Sequence, residues 1–82
     1  MREFTDSDGR AWVASAVEEQ GIDYTGRYHM VLGPAAGTDA GDLPLHDVEW
    51  NSERTALRSL ATMSVVELRR RLRSALGRHA AA

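Results

Sequence analysis

The chain has 82 residues with ten arginines, no lysine, no cysteine and twelve acidic residues, which give a net charge of -2. This length suits one small domain, and a hydrophobic content of 43 % with 27 % charged residues is typical of globular proteins. The composition excludes disulfides, cysteine-ligated zinc, lysine Schiff-base chemistry and the lysine of a phosphate-binding loop. Neither a signal peptide nor a membrane span is visible, so we expect a cytoplasmic protein.

The first two predicted elements are the strands of a hairpin. Ser7-Asp8-Gly9-Arg10 separates two strand-like segments at residues 4–6 and 11–17, and Asp-Gly in this position is typical of a tight turn. A two-residue turn and a three-residue loop with a glycine bulge both fit, and they give different registers. We favour the bulged form because it places Phe4 opposite Trp12 as an aromatic cross-strand pair.

A third strand is predicted over residues 28–32, after a polar connection at residues 18–26. Its alternation places His29 and Val31 on one face and the larger apolar side chains on the other: Tyr28, Met30 and Leu32. Residues 33–42 follow with three glycines and a proline, which indicates a flexible loop.

The fourth predicted strand covers residues 43–50 and has an interrupted alternation. Leu43 and Leu45 are at odd positions and Val48 and Trp50 at even positions, so a regular strand would place the two pairs on opposite faces. A β-bulge near His46-Asp47 would bring both pairs to the same face of the sheet.

From Asn51 the apolar residues recur at helical spacing. A first helix is predicted at about residues 52–62, with Asn51 or Ser52 as its N-cap. Ser64-Val65-Val66-Glu67 then reads as a capping box, and the apolar residues around it, Met63 and Leu68, occupy the positions of a hydrophobic staple. These residues predict a second helix over about residues 64–78, ended near Gly77. Its apolar face is formed by Val65, Leu68, Leu72 and Leu76.

Together these elements predict a single α+β domain over residues 1–82. An antiparallel meander of about four strands occupies residues 2–50, and two C-terminal helices pack on one face of it. This arrangement follows because helices that come after a run of strands bury their apolar stripes against one side of the sheet.

The charges are divided unevenly between these elements. Residues 1–51 carry three arginines and ten acids, about -7, whereas residues 52–82 carry seven arginines and two acids, about +5. Arginines can bind phosphates or an acidic protein surface. We favour the interpretation that these arginines form a solvated helix face. A further explanation is that they pair with the acidic residues of the chain's own sheet. Five arginines of the second helix are the candidate partner-binding residues: Arg69, Arg70, Arg71, Arg73 and Arg78.

The sequence predicts no catalytic site, no metal site and no cofactor. Its histidines, His29, His46 and His79, are too scattered along the chain to indicate a metal site. His46 and Asp47 are adjacent strand residues that would point to opposite faces, so they do not form a catalytic pair. We therefore expect neither enzymatic activity nor a small-molecule substrate.

The remaining expectation is a non-enzymatic protein-interaction module, an accessory or regulatory subunit that docks on a larger protein assembly. Trp12 and Trp50 are additional candidate contacts, because an exposed tryptophan is a common interface anchor. The alternative is a nucleic-acid-binding protein that uses the arginines of the second helix. Peripheral membrane association ranks below both, since the apolar residues of that helix are needed for the core.

Overall fold

The computed structural model describes residues 1–19, 27–35 and 42–81. Four strands form one antiparallel sheet in the order β1-β2-β3-β4, and two helices follow. The predicted α+β meander with two C-terminal helices is confirmed. Neither helix in the described ranges combines the length and apolar character needed to cross a bilayer. The elements are β1 (Arg2–Thr5), β2 (Ala11–Glu18), β3 (Tyr28–Pro34), β4 (Leu43–Trp50), α1 (Glu53–Thr62) and α2 (Val65–Ala81).

Two connections predicted from the sequence lie largely outside the residues that the structure describes. Of the polar connection at residues 18–26, residues 20–26 lie outside the described ranges. Of the predicted flexible loop at residues 33–42, residues 36–41 lie outside them, and β3 continues through Pro34 into the start of that loop.

The β1–β2 hairpin has the bulged register that the sequence favours. Phe4 lies opposite Trp12, and Gly9 adopts a φ of 83°, which side-chain-bearing residues rarely tolerate. The turn is closed by a hydrogen bond of 3.1 Å from the Gly9 amide to the Asp6 carbonyl. This confirms the prediction based on the aromatic pair.

The predicted bulge in β4 is also present. His29 lies opposite Glu49, but the next residue of β3, Met30, lies opposite Leu45, so the register passes over residues 46–48 of β4. These three extra residues shift the alternation of side chains by an odd number of positions. The apolar side chains of both halves of β4 therefore point toward the helices. The leucines of the first half are buried, and Val48 and Trp50 of the second half pack against the same core.

The core lies between the helices and one face of the sheet. The opposite face is covered by no described element, and its residues include Val13, Ser15, Val17, His29 and Val31. Val17 keeps 42 % of its surface exposed. The buried core residues are Phe4, Ala14, Met30, Leu32, Leu43, Leu45, Leu60, Leu68, Leu72 and Ala75.

The helix starts follow their capping residues. Ser52 accepts a hydrogen bond from the Thr55 amide at 3.2 Å, and Ser64 accepts one from the Glu67 amide at 3.1 Å. Helix α2 begins at Val65, one residue after the predicted start at Ser64, which caps it. At the other end of α1, Arg2 of β1 donates to the carbonyls of Leu60 and Ala61 at 3.4 and 3.1 Å. A cation there satisfies the free carbonyls and complements the helix dipole.

The predicted end of α2 is wrong. The helix continues through Gly77 to Ala81, and Gly77 has no positive φ of the kind that ends a helix. A glycine inside a helix costs only about 1 kcal/mol relative to alanine. The alanines that follow favour the helix, so this cost does not end it.

Candidate functional site

The five predicted arginines of α2 leave the helix in different directions. Two of them share Glu67: Arg70 Nη2 lies 2.7 Å from Glu67 Oε2, and Arg71 Nε lies 2.9 Å from Glu67 Oε1. The hydrogen bond from Arg70, followed by the charges of Arg70 and Arg71, holds the pKa of the Glu67 carboxyl below its usual range. These contacts at helical spacing neutralise part of the basic face within the helix itself.

Two other arginines reach the edges of the sheet. Arg69 donates from Nε to the Thr5 carbonyl at 2.7 Å and from Nη2 to the Thr5 hydroxyl at 3.2 Å. Arg78 Nη2 lies 3.4 Å from Asp47 Oδ1 on β4. Helix α2 therefore contacts β1 with its N-terminal half and β4 with its C-terminal half. The β1 contact joins Arg69 to neutral acceptors, and the β4 contact pairs opposite charges.

Arg73 differs from the other four arginines. It is exposed and makes no hydrogen bond or ion pair with any described residue. It lies on one side of α2 with Arg69 and two apolar side chains that remain in solvent, Val66 at 74 % and Leu76 at 42 % exposure. We call this row of Val66, Arg69, Arg73 and Leu76 the α2 edge.

A depression of about 180 Å³ borders the α2 edge. It separates the helix from the β1–β2 turn, so that it has carboxylates on the turn side and arginines on the helix side. Its floor is apolar. The lining residues are Asp6, Ser7, Asp8, Arg69, Leu72, Arg73 and Leu76.

Both predicted tryptophans lie against the hydrophobic core. Trp12 and Trp50 are half-buried, and neither belongs to the exposed large hydrophobic residues of the described chain. Trp12 Nε1 donates to Asp6 Oδ2 at 2.9 Å. Their packing against the core stabilises the sheet, and neither ring is among the exposed hydrophobic side chains of the described residues.

The fold brings together two histidines that the sequence leaves apart. The rings of His29 on β3 and His46 in the β4 bulge have centroids 4.6 Å apart and are inclined by 32°. Glu19, just after β2, places Oε1 at 3.8 Å from His29 Nδ1. The side chain of the third histidine, His79, lies outside the described part of the structure.

The sequence contains a signal for this cluster that helical spacing does not capture. His29 and His46 approach each other across a strand pair, and the distance between them depends on where the bulge falls in β4. The predicted alternation of the two strands places His29 and His46 on the same face of the sheet, opposite the leucines, but the register that brings them side by side comes from the strand pairing.

The chain matches no protein-family model, no curated protein and no solved structure.

Proposed function

We propose that this chain is a non-enzymatic protein-interaction module, an accessory or regulatory subunit that docks on a larger protein assembly. The α2 edge is the observation that carries the proposal. Val66 and Leu76 expose apolar surface at its two ends, and Arg73 between them has no partner in the described ranges. Arginine beside apolar side chains is the combination that protein interfaces enrich.

The spacing of the α2 edge supports a helical partner. Its residues follow one another at intervals of three, four and three positions, the spacing by which one helix packs against another. Residues 52–82 carry about +5, from seven arginines and two acids, so charge complementarity favours an acidic partner. We infer an amphipathic acidic helix of another protein as the docking element.

The arrangement of the arginines favours protein over nucleic acid. Phosphate tracking needs several arginines on one continuous surface, whereas these leave α2 toward β1, toward β4 and along the helix. The exposed apolar side chains of Val66 and Leu76 would also not be buried by contact with a phosphate backbone. Stacking on bases needs exposed aromatic rings, and both tryptophans pack against the core.

We also propose a cytoplasmic location for this module. The chain has no cysteine, so it lacks the disulfides with which small secreted domains commonly stabilise a limited core.

The experiment compares matched surface variants in co-purification from native cells. Leu76→Asp and Arg73→Glu alter the α2 edge, while Leu57→Asp and Arg58→Glu make the same changes on α1, where Leu57 is 44 % exposed. We expect one protein partner to be lost with both α2 variants and kept with both α1 variants. Circular dichroism of each purified variant checks that its fold is intact.

Three results would overturn the proposal. They are the recovery of no protein partner, a partner equally retained by the α2 variants, and the recovery of nucleic acid in its place. The last result would establish the nucleic-acid alternative, and its binding would weaken steeply with salt.

A further inference from the structure

We propose that Glu19, His29 and His46 form a binding site for a divalent metal ion of the zinc type. The three side chains come from different parts of the fold: the residue just after β2, the start of β3 and the bulge of β4. Each offers one ligand atom, and these atoms all lie within 4.8 Å of one another. Two imidazoles and one carboxylate are a ligand set that Zn²⁺ uses in proteins.

The lack of a hydrogen-bond partner for His29 Nδ1 among the described residues supports this site. Its side chain is only 12 % exposed, and its Nδ1 is buried without a hydrogen-bond partner among the described residues. The 3.8 Å that separates this nitrogen from Glu19 Oε1 is too long for a hydrogen bond. A buried polar atom without a partner costs free energy, which a metal ion between the two atoms would remove.

The three ligand atoms can reach coordination distance by side-chain rotation. Zinc binds nitrogen and carboxylate oxygen at about 2.0–2.2 Å, so ligand atoms around it lie roughly 3.3–3.5 Å apart. Glu19 Oε1 and His29 Nδ1 are already close to this separation at 3.8 Å. His46 is exposed, so its ring is free to turn toward the other two side chains.

A metal ion at this position would join three strands. Glu19 and Arg27 pair through a backbone hydrogen bond of 2.8 Å at the base of the β2–β3 connection. Their pairing holds the carboxylate beside His29, and His46 connects both to the edge strand β4. Binding to the folded chain alone would stabilise it by mass action.

The test is a calorimetric titration of the full chain with ZnCl₂. We expect one ion per chain, and a thermal transition that moves to higher temperature when Zn²⁺ is added. Glu19→Gln and His46→Gln should each weaken binding by at least about tenfold, since even changes in residues that only orient a ligand cost 10–100-fold.

Two control variants keep the experiment decisive. Glu18→Gln makes the same change at the adjacent position, where Glu18 accepts a hydrogen bond from the Tyr28 hydroxyl, and His79→Gln removes the third histidine. Both controls should bind Zn²⁺ like the unaltered chain. The proposal is overturned if the chain binds no Zn²⁺ at micromolar concentration, if His46→Gln binds equally well, or if His79→Gln abolishes binding.

Discussion

Asp6 organises the β1–β2 hairpin through one carboxylate. Its Oδ2 accepts from Trp12 Nε1, and its Oδ1 accepts from the amides of Asp8 and Arg10, each at 2.9 Å. The Trp12 hydrogen bond first, and the backbone bonds after it, hold the pKa of Asp6 below its usual range. The same residue therefore closes the turn and orients an aromatic side chain of the core.

This depressed pKa makes the hairpin sensitive to acid. A carboxyl whose pKa is lower in the folded state contributes stability above its unfolded pKa, and this stability is lost as the pH falls through the folded pKa. Thermal melts should therefore show a loss of stability from about pH 4 downward. Asp6→Asn should melt at lower temperature at pH 7 and lose part of this dependence on pH. The control Asp8→Asn should retain it, and equal behaviour of the two variants would contradict the assignment.

Gly9 is required by its backbone conformation rather than by a lack of space. A Cβ there would meet nothing within 4 Å, but the φ of 83° is unfavourable for any side-chain-bearing residue. We expect Gly9→Ala to lower the free energy of unfolding by about 1–2 kcal/mol. Urea denaturation measures this change, and an unchanged midpoint would show that the turn does not need this conformation.

At the scale of the element, Gly77 has a low helix propensity inside α2, and a substitution there can stabilise the helix. The residue is helical, and a Cβ at its position meets no atom within 4 Å. Gly77→Ala should therefore raise the free energy of unfolding by about 0.5–1 kcal/mol, mainly by restricting the unfolded chain. The measurement is again urea denaturation. A destabilised variant would mean that glycine has a role at this position beyond the helix.

The start of α2 depends on Ser64. Its hydroxyl accepts from the Glu67 amide, one of the four amides that a helix N-terminus leaves free. Ser64→Ala should lower the free energy of unfolding by about 1 kcal/mol. Ser74→Ala is the matched control, because Ser74 is exposed inside the helix and alanine is preferred there. Equal effects of both substitutions on the urea midpoint would argue against capping.

Local signals predicted most elements, and the two features they missed, the end of α2 and the histidine cluster, have different causes. The turn glycine, the parity change in β4 and the serine before α2 act within a few residues, so the sequence shows them directly. Gly77 failed as a stop signal because its neighbours favour the helix more strongly than one glycine opposes it. The proximity of His29 to His46 depends on strand pairing over 17 positions, which helical spacing rules do not address.

At the scale of the whole molecule, arginines connect the acidic sheet to the basic helical layer. Arg2 reaches α1, while Arg69 and Arg78 reach β1 and β4 from α2. The sequence predicted the charge contrast between the two layers. It did not show which arginines would be used inside the fold, because those contacts span up to 64 positions and depend on how α2 crosses the sheet.

The stability of the domain rests on a small core, and Leu68 lies at its centre with no exposed surface. Leu68→Ala should lower the free energy of unfolding by about 2–5 kcal/mol, a large fraction of the total for a domain of this size. Leu57→Ala on the outer side of α1, where Leu57 is 44 % exposed, should change it by less than about 0.5 kcal/mol. Thermal and urea denaturation of both variants would test whether α2 belongs to the folding unit.

Both edges of the sheet are poor templates for a further strand. The edge strand β1 has four residues, and Arg69 occupies the Thr5 carbonyl at its end. The other edge strand, β4, contains Pro44, which has no amide hydrogen, and is bent by its bulge. Unprotected edges are where sheet proteins join into aggregates and fibrils. Both edge strands of this chain therefore carry features that oppose edge-to-edge aggregation, and the exposed Val66 and Leu76 lie on α2, away from either sheet edge.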